Sequence, residues 1–227
     1  MDRTNALVLF DIDGTLIRRA GDHHRRALVD AVLKTAGVET TTEGVPVAGM
    51  LDHDILRTMM SQAGMKPGQI REALPEIMRR AQLIYAKSCP DLQRKVCPGV
   101  RQLLRRLDKS GAIVGLVTGN LTRIAWKKME QAGLRPYFRF GAFAELAKDR
   151  AGLVRLAVRQ AREKGWITKQ GRVTLIGDHP NDIRAARANK VRVVAVATGV
   201  VGAEELAEHA PDVLLPDLRG LKIEMLL

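Results

Sequence analysis

A chain of 227 residues, 46% of them apolar and 27% charged, suits one large domain or a core that carries a smaller second domain. Two cysteines, Cys89 and Cys97, are too few for a disulfide framework, and their separation misses the close spacing of a zinc pair. The formal charge of +12 raises the question of nucleic acid, but it is spread, with a net of +4 over residues 18–95 and +8 over the rest, and few aromatics offer base stacking.

The balance therefore reads as a basic surface that attracts small anions, not as a nucleic-acid binder. Residues 1–5 run straight into an apolar stretch too short for a signal segment, and no apolar run is long enough to span a bilayer. The expectation is a cytoplasmic protein with no membrane partner.

Leu7 to Phe10 is the first predicted strand, and it ends in Asp11-Ile12-Asp13-Gly14-Thr15-Leu16. Two carboxylates two residues apart on an extended backbone face one way, an arrangement that needs a compensating cation or proton. Hard oxygen ligands at that density suit Mg2+. Asp and Gly in their ordinary turn roles account for the same residues equally well.

From Leu16 to Val96 no segment reads as a strand. Helical patterns run over His23 to Thr35, Asp52 to Gln62 and Gln69 to Lys87, and Pro75 is expected to split or restart the last of these. The predicted organisation is a helical domain, residues 18–95, inserted into a core made of residues 1–17 and 96–227. His23, His24, Arg25 and Arg26 read as a solvated helix face. His53 follows a glycine-containing loop, Gly49-Met50-Leu51-Asp52, and is a candidate for contacting substrate.

After Cys97-Pro98-Gly99 helices and strands alternate. Val100 to Asp108 is helical, Ala112 to Val117 a strand, and Thr118-Gly119-Asn120 leads into a helix over Thr122 to Gln131. A hydroxyl and a glycine amide at a helix start suit an anion, although an N-cap by Thr118 or Asn120 explains them too. Phe140 to Phe143 reads as a short strand and Leu153 to Lys164 as a helix. Val173 to Ile176 is a strand that ends in Gly177-Asp178-His179-Pro180-Asn181-Asp182. Asp182 there reads as an N-cap of a helix over Asp182 to Asn189, whereas Asp178, at the strand tip, has no such role. Strands over Val191 to Ala197 and Asp212 to Leu215 flank a helix at Ala203 to His209. Buried β-branched runs alternating with helices predict an α/β fold, a doubly wound, Rossmann-like parallel sheet whose ligands bind beyond the strands' carboxyl ends.

Three such ends carry carboxylates, a hydroxyl–glycine pair and more carboxylates. In order and content, DxDGT, TGN and GDxxxD, this pattern resembles the haloacid dehalogenase-like hydrolase superfamily over nearly the whole chain, and the insert resembles the small helical cap of its phosphoglycolate phosphatase-like branch. The resemblance implies Asp11 as nucleophile and Asp13 as general acid and base. It implies Mg2+ held by Asp11, the Asp13 main-chain carbonyl and Asp178, with Asp182 orienting the site from behind. Thr118, Gly119 and Asn120 would bind the phosphoryl group. The superfamily's phosphate-neutralising lysine is replaced here by Arg150, six residues before Leu156, with Lys148 the competing candidate. Asp13 favours phosphate-ester hydrolysis over dehalogenation, because a halide needs no proton. The partner implied is a small phosphorylated metabolite. A sugar-phosphate mutase on the same fold, or a basic non-catalytic binding protein, are the rival readings.

Overall fold

The computed structural model describes residues 5–18 and 21–227. Most of the N-terminal stretch discussed above, residues 1–4, and residues 19–20 of the insert lie outside the described residues. In chain order the elements are β1 (Ala6–Phe10), α1 (His23–Ala36), α2 (Asp52–Gln62), α3 (Pro67–Ser88), α4 (Val100–Ser110), β2 (Ile113–Val117), α5 (Thr122–Gln131) and β3 (Phe140–Ala142). They continue with α6 (Arg150–Glu163), β4 (Arg172–Gly177), α7 (Pro180–Ala188), β5 (Arg192–Val196), α8 (Ala203–Glu208) and β6 (Val213–Leu215).

The six strands form one parallel sheet in the order β3-β2-β1-β4-β5-β6. Alternate residues of β1 feed opposite faces, as a period of two requires. Leu7 and Leu9 join an apolar cluster with Leu153, Val154 and Ala157 of α6 and Ile183 and Ala186 of α7. Val8 and Phe10 join a second cluster with Leu103, Leu104 and Leu107 of α4 and Ala125 and Met129 of α5. Helices thus cover both faces, which is why the strands carry no polar alternation. Reversal of the strand order around β1 makes β2, β1 and β4 neighbours, although helices and a further strand separate them in sequence.

Between β1 and α4 the described chain forms helices joined by loops, with isolated bridges and no strand among the described residues. The outgoing segment at Leu16–Arg18 pairs with the returning one at Lys95–Cys97 through Arg18 N–H to Lys95 O (2.8 Å) and Cys97 N–H to Leu16 O (3.0 Å). Leu28 of α1, Leu56 of α2 and Ile77 and Tyr85 of α3 are buried in the same apolar cluster as Leu7 and Leu9.

Two expectations about helix limits are corrected. Helix α3 runs unbroken from Pro67 to Ser88 with Pro75 inside it. Pro75 and Arg71, whose carbonyl loses its partner, are both exposed, so water can satisfy that carbonyl. Helix α7 starts at Pro180, not beyond Asp182, and is capped by His179, whose Nδ1 accepts the Asn181 N–H at 3.1 Å. Proline at the first helical position is pre-organised for that start. Asp182 sits in the first turn and reaches back to the His179 N–H at 3.2 Å. No helix among the described residues is long and apolar enough to cross a membrane.

Candidate active site

The ends of β1 and β4 and the first turn of α7 present three buried carboxylates, Asp11, Asp178 and Asp182, with one oxygen of each lying within 4.8 Å of the others. Backbone geometry makes the approach feasible. Gly14 has φ +92°, and a Cβ there would lie 2.1 Å from Asp178 Oδ2. A Cβ on Gly199 would come closer still, so Asp178 sits between two glycines. Thr15 Oγ1 donates to Asp178 Oδ1 at 2.9 Å, and Thr198 Oγ1 ties the loop by donating to the Gly14 carbonyl.

The electrostatics of this cluster ask for a cation. Burial raises the Asp11 carboxyl to about 6 despite the nearby Arg150, and Asp182 and Asp13 add to the rise. Asp178 is pushed well above the usual carboxylate range, first by burial and then by Asp11 and Asp182. An all-oxygen donor set of this density fits a hard divalent ion such as Mg2+.

One protein cation already faces the cluster. Arg150, buried at the start of α6, places Nη1 2.6 Å from Asp182 Oδ1 and 3.2 Å from Asp11 Oδ1. Its Nε is buried and has no hydrogen-bond partner among the described residues, which leaves it able to donate to an anion. Asp149 caps α6 by accepting the Gly152 N–H at 2.7 Å, which turns residue 150 inward. Lys148 is exposed and lines a cavity of about 520 Å3 with His53, Arg57 and Leu146. His53, the expected substrate contact, has Nε2 3.2 Å from Asp54 Oδ1, and none of Asp11, Asp178 and Asp182 lines the cavity it shares with Lys148. His179 lies beside Asp178, but its ring is engaged in capping α7. Burial and Arg150 hold its imidazole below the ordinary value.

The end of β2 closes the third side. Thr118 is fully buried and its Oγ1 accepts from Asn120 Nδ2 at 2.9 Å. Asn120 Nδ2 also donates to Asp13 Oδ2 at 2.7 Å. Gly119 is approached so closely by the insert that a Cβ there would lie 2.3 Å from the Met50 carbonyl oxygen. Gly119 O accepts the Asp52 N–H at 2.8 Å, and Gly49 O accepts from Asn181 Nδ2 at 2.7 Å. The Gly49–Met50 loop thus lies over both the β2 and the β4 ends.

The sequence analysis missed Lys128. Its ammonium is buried and lies 2.6 and 2.8 Å from the Asp13 carboxylate oxygens. Burial alone would raise Asp13, but Lys128, His24 and the Asn120 hydrogen bond outweigh it and hold the carboxyl below its ordinary value. The signal was present in α5. Leu121, Ile124, Ala125, Met129 and Ala132 form the buried stripe, and Lys128 falls on it. His24 shares the stripe of α1 with Ala27, Leu28 and Ala31, so grouping it with the exposed Arg25 and Arg26 was an error of periodicity.

The family model described as haloacid dehalogenase-like hydrolase matches residues 8–196. Similar proteins include a phosphoglycolate phosphatase from Pseudomonas fluorescens, 29% identical over 234 residues, covering 96% of this chain and 79% of the relative. Another is a phosphoglycolate phosphatase from Synechococcus elongatus, 27% identical over 214 residues, covering 92% and 91%. Among solved structures, CbbY from Rhodobacter sphaeroides in complex with phosphate superposes with a TM-score of 0.71 at 18% identity, covering 96% of each chain. A β-phosphoglucomutase from Clostridium difficile gives 0.70 at 18% identity, covering 98% and 95%.

Proposed function

The chain belongs to the haloacid dehalogenase-like hydrolases, and within that family we propose a Mg2+-dependent phosphatase that transfers the phosphoryl group of a small phosphomonoester to Asp11. Its enzyme class is phosphoric monoester hydrolase, and the curated relatives point to 2-phosphoglycolate as the first substrate to try.

Asp11 attacks phosphorus, and the bond to the leaving oxygen breaks as the bond to the Asp11 carboxylate forms. Asp13, two residues on, gives a proton to the leaving oxygen and then takes one from the water that cleaves the acyl phosphate. Arg150 stabilises charge on the transferring group while keeping Asp11 aimed, and its free Nε supports that role. Thr118 and the Gly119 amide bind phosphoryl oxygens, and Asn120 holds Asp13 instead of meeting substrate. Asp11, the Asp13 carbonyl and Asp178 would hold Mg2+, which when bound screens the repulsion between a carboxylate nucleophile and a phosphate dianion. Asp182 has both oxygens occupied, by Arg150 and the His179 N–H, so it orients the site from behind. Residues 18–95 act as a cap over a core of residues 1–17 and 96–227.

The observation that carries this reading is the pairing of Arg150 with Asp11 beside a buried carboxylate cluster where β2, β1 and β4 end together. Phosphate release from a panel of phosphomonoesters, with and without Mg2+ and with Asp11→Asn as blank, tests it. Mg2+-dependent release abolished by Asp11→Asn is expected. Isomerised sugar phosphate without free phosphate would mean a mutase, and no turnover would mean a non-catalytic protein.

A further inference from the structure

Lys128 has 1% of its side chain exposed, whereas Asp13, its partner, is 40% exposed. Packing therefore does not hold the Asp13 carboxylate; hydrogen bonds do. Lys128 Nζ donates to both Asp13 oxygens at 2.6 and 2.8 Å and to Asn120 Oδ1 at 2.5 Å. It also meets His24 Nδ1 at 3.3 Å and lies 5.9 Å from the centre of the Tyr85 ring. A buried ammonium is tolerated only when its protons are used, and here they are. It is saturated by protein, so it is not a free subsite for a second substrate anion.

The network extends into the insert. Because His24 Nδ1 faces an ammonium that cannot accept, the ring is assigned its proton on Nε2, which donates to Asp52 Oδ2 at 3.0 Å. That oxygen also accepts the Leu121 N–H at 2.9 Å, at the start of the helix that carries Lys128. His24 comes from α1 and Asp52 from α2, whereas Lys128, Asn120 and Asp13 come from the core.

We propose that Lys128 is a positioning residue that aims the Asp13 carboxyl group at the leaving oxygen, and that His24 and Asp52 complete the clamp only when α1 and α2 are seated on the core. The proposal rests on the reading of Asp13 as the group that protonates the leaving oxygen. In that step the Asp13 O–H bond breaks, its proton, taken from the water that cleaved the acyl phosphate of the preceding turnover, goes to the ester oxygen, the P–O bond electrons remain on that oxygen, and Lys128 stabilises the Asp13 carboxylate left behind.

The test is the leaving-group dependence of kcat/KM, which reports transfer to Asp11 without the later hydrolysis. An alkyl phosphomonoester needs the proton; 2,4-dinitrophenyl phosphate does not. Lys128→Met is expected to lower kcat/KM about 100-fold on the alkyl ester, at the lower end of what general acids supply, and less than about 5-fold on the dinitrophenyl ester. Turnover of the latter shows in the same preparation that the site is folded. His24→Ala is expected to show the same selectivity with a smaller loss, and serves where Lys128→Met does not fold. Asp13→Asn separates the two ideas. If it loses both esters equally, the reading of Asp13 fails and the proposal falls with it. If it is selective while Lys128→Met and His24→Ala lower both esters equally or neither, Lys128 and His24 do not aim Asp13.

Discussion

Arg150 Nη1 stands 3.2 Å from Asp11 Oδ1 and so joins the start of α6 to the tip of β1. The contact supports the proposal that Arg150, and not Lys148, which is exposed two residues earlier, neutralises the transferring group. Arg150→Ala removes a cation from between two buried carboxylates and a donor from the transferring group. The loss expected in kcat is about 100- to 1000-fold, the scale of a single transition-state donor. Arg150→Lys restores charge but not the fork and recovers only part of it. Lys148→Ala should stay within about 3-fold. Steady-state kinetics on one phosphomonoester check all three, and the reverse ranking would hand the role to Lys148.

The carboxylate cluster makes stability depend on pH and metal together. Burial pushes the Asp11 carboxyl up to about 6 in the folded protein from an ordinary 3.8, and Asp178 shifts in the same direction. Between those values the folded state binds the proton and the unfolded state does not. The metal-free protein therefore loses stability as pH rises from about 4 through 6, by roughly 1–3 kcal/mol. Mg2+ selects the ionised cluster. At 100 times its Kd it adds about 2.7 kcal/mol, or roughly 5–10 °C in Tm for a chain of this size. Thermal melts at pH 5 and 7.5, with and without Mg2+, should show the larger Mg2+ shift at pH 7.5. In Asp178→Asn the shift should collapse. An equal shift at both pH values would argue against ion binding at these carboxylates.

The strands and the chemical tips were legible because both depend on local sequence. A buried parallel strand is a continuous apolar run, and Asp11, Thr118 and Asp178 announce themselves by breaking such runs at their ends. Lys128 and His24 were not legible in the same way, since each is an ordinary surface residue type on a helix. Only its place on the buried stripe marks it, and only the fold says what it meets there. Arg150 was found by spacing, but its pairing with Asp182 required the adjacency of α6 and α7. His53 and Asp52 are consecutive on a helix and point apart, which only the fold shows: Asp52 accepts the Leu121 N–H while His53 lines the outer cavity.

Gly119 tests how tightly the insert must sit. A Cβ there would lie 2.3 Å from the Met50 carbonyl oxygen, a backbone atom that no rotamer change can move, and 3.2 Å from Arg150 Nη2. Gly119→Ala keeps the amide proposed to bind a phosphoryl oxygen. It should nevertheless lower kcat/KM about 10- to 100-fold by pushing the Gly49–Met50 loop off the site, and cost about 1–3 kcal/mol as an overpacked contact. Gly68→Ala is the control. Beyond its chain neighbours and its own helix backbone, no atom of the described residues lies within 4 Å of its added Cβ, it is helical, and it should be neutral or stabilising by up to about 1 kcal/mol. Kinetics with melting curves check the pair, and an active, fully stable Gly119→Ala would show that the loop yields without cost.

Pro75 offers a gain instead of a loss. It lies inside α3, where it cannot donate to the Arg71 carbonyl, and its ring crowds that oxygen. An interior proline costs about 3 kcal/mol against alanine in a helix, although hydration of the exposed carbonyl recovers part of this. Replacing it also frees the unfolded chain, which costs about 0.4–1 kcal/mol. The balance predicts that Pro75→Ala raises stability by about 1–2 kcal/mol, or roughly 2–8 °C in Tm. Activity should not change, because Leu74 and Ile77 on either side keep their buried positions. Thermal melts beside steady-state kinetics decide it. A lower Tm would show that the helix geometry Pro75 imposes fits α3 to α1 and that relaxing it strains their packing.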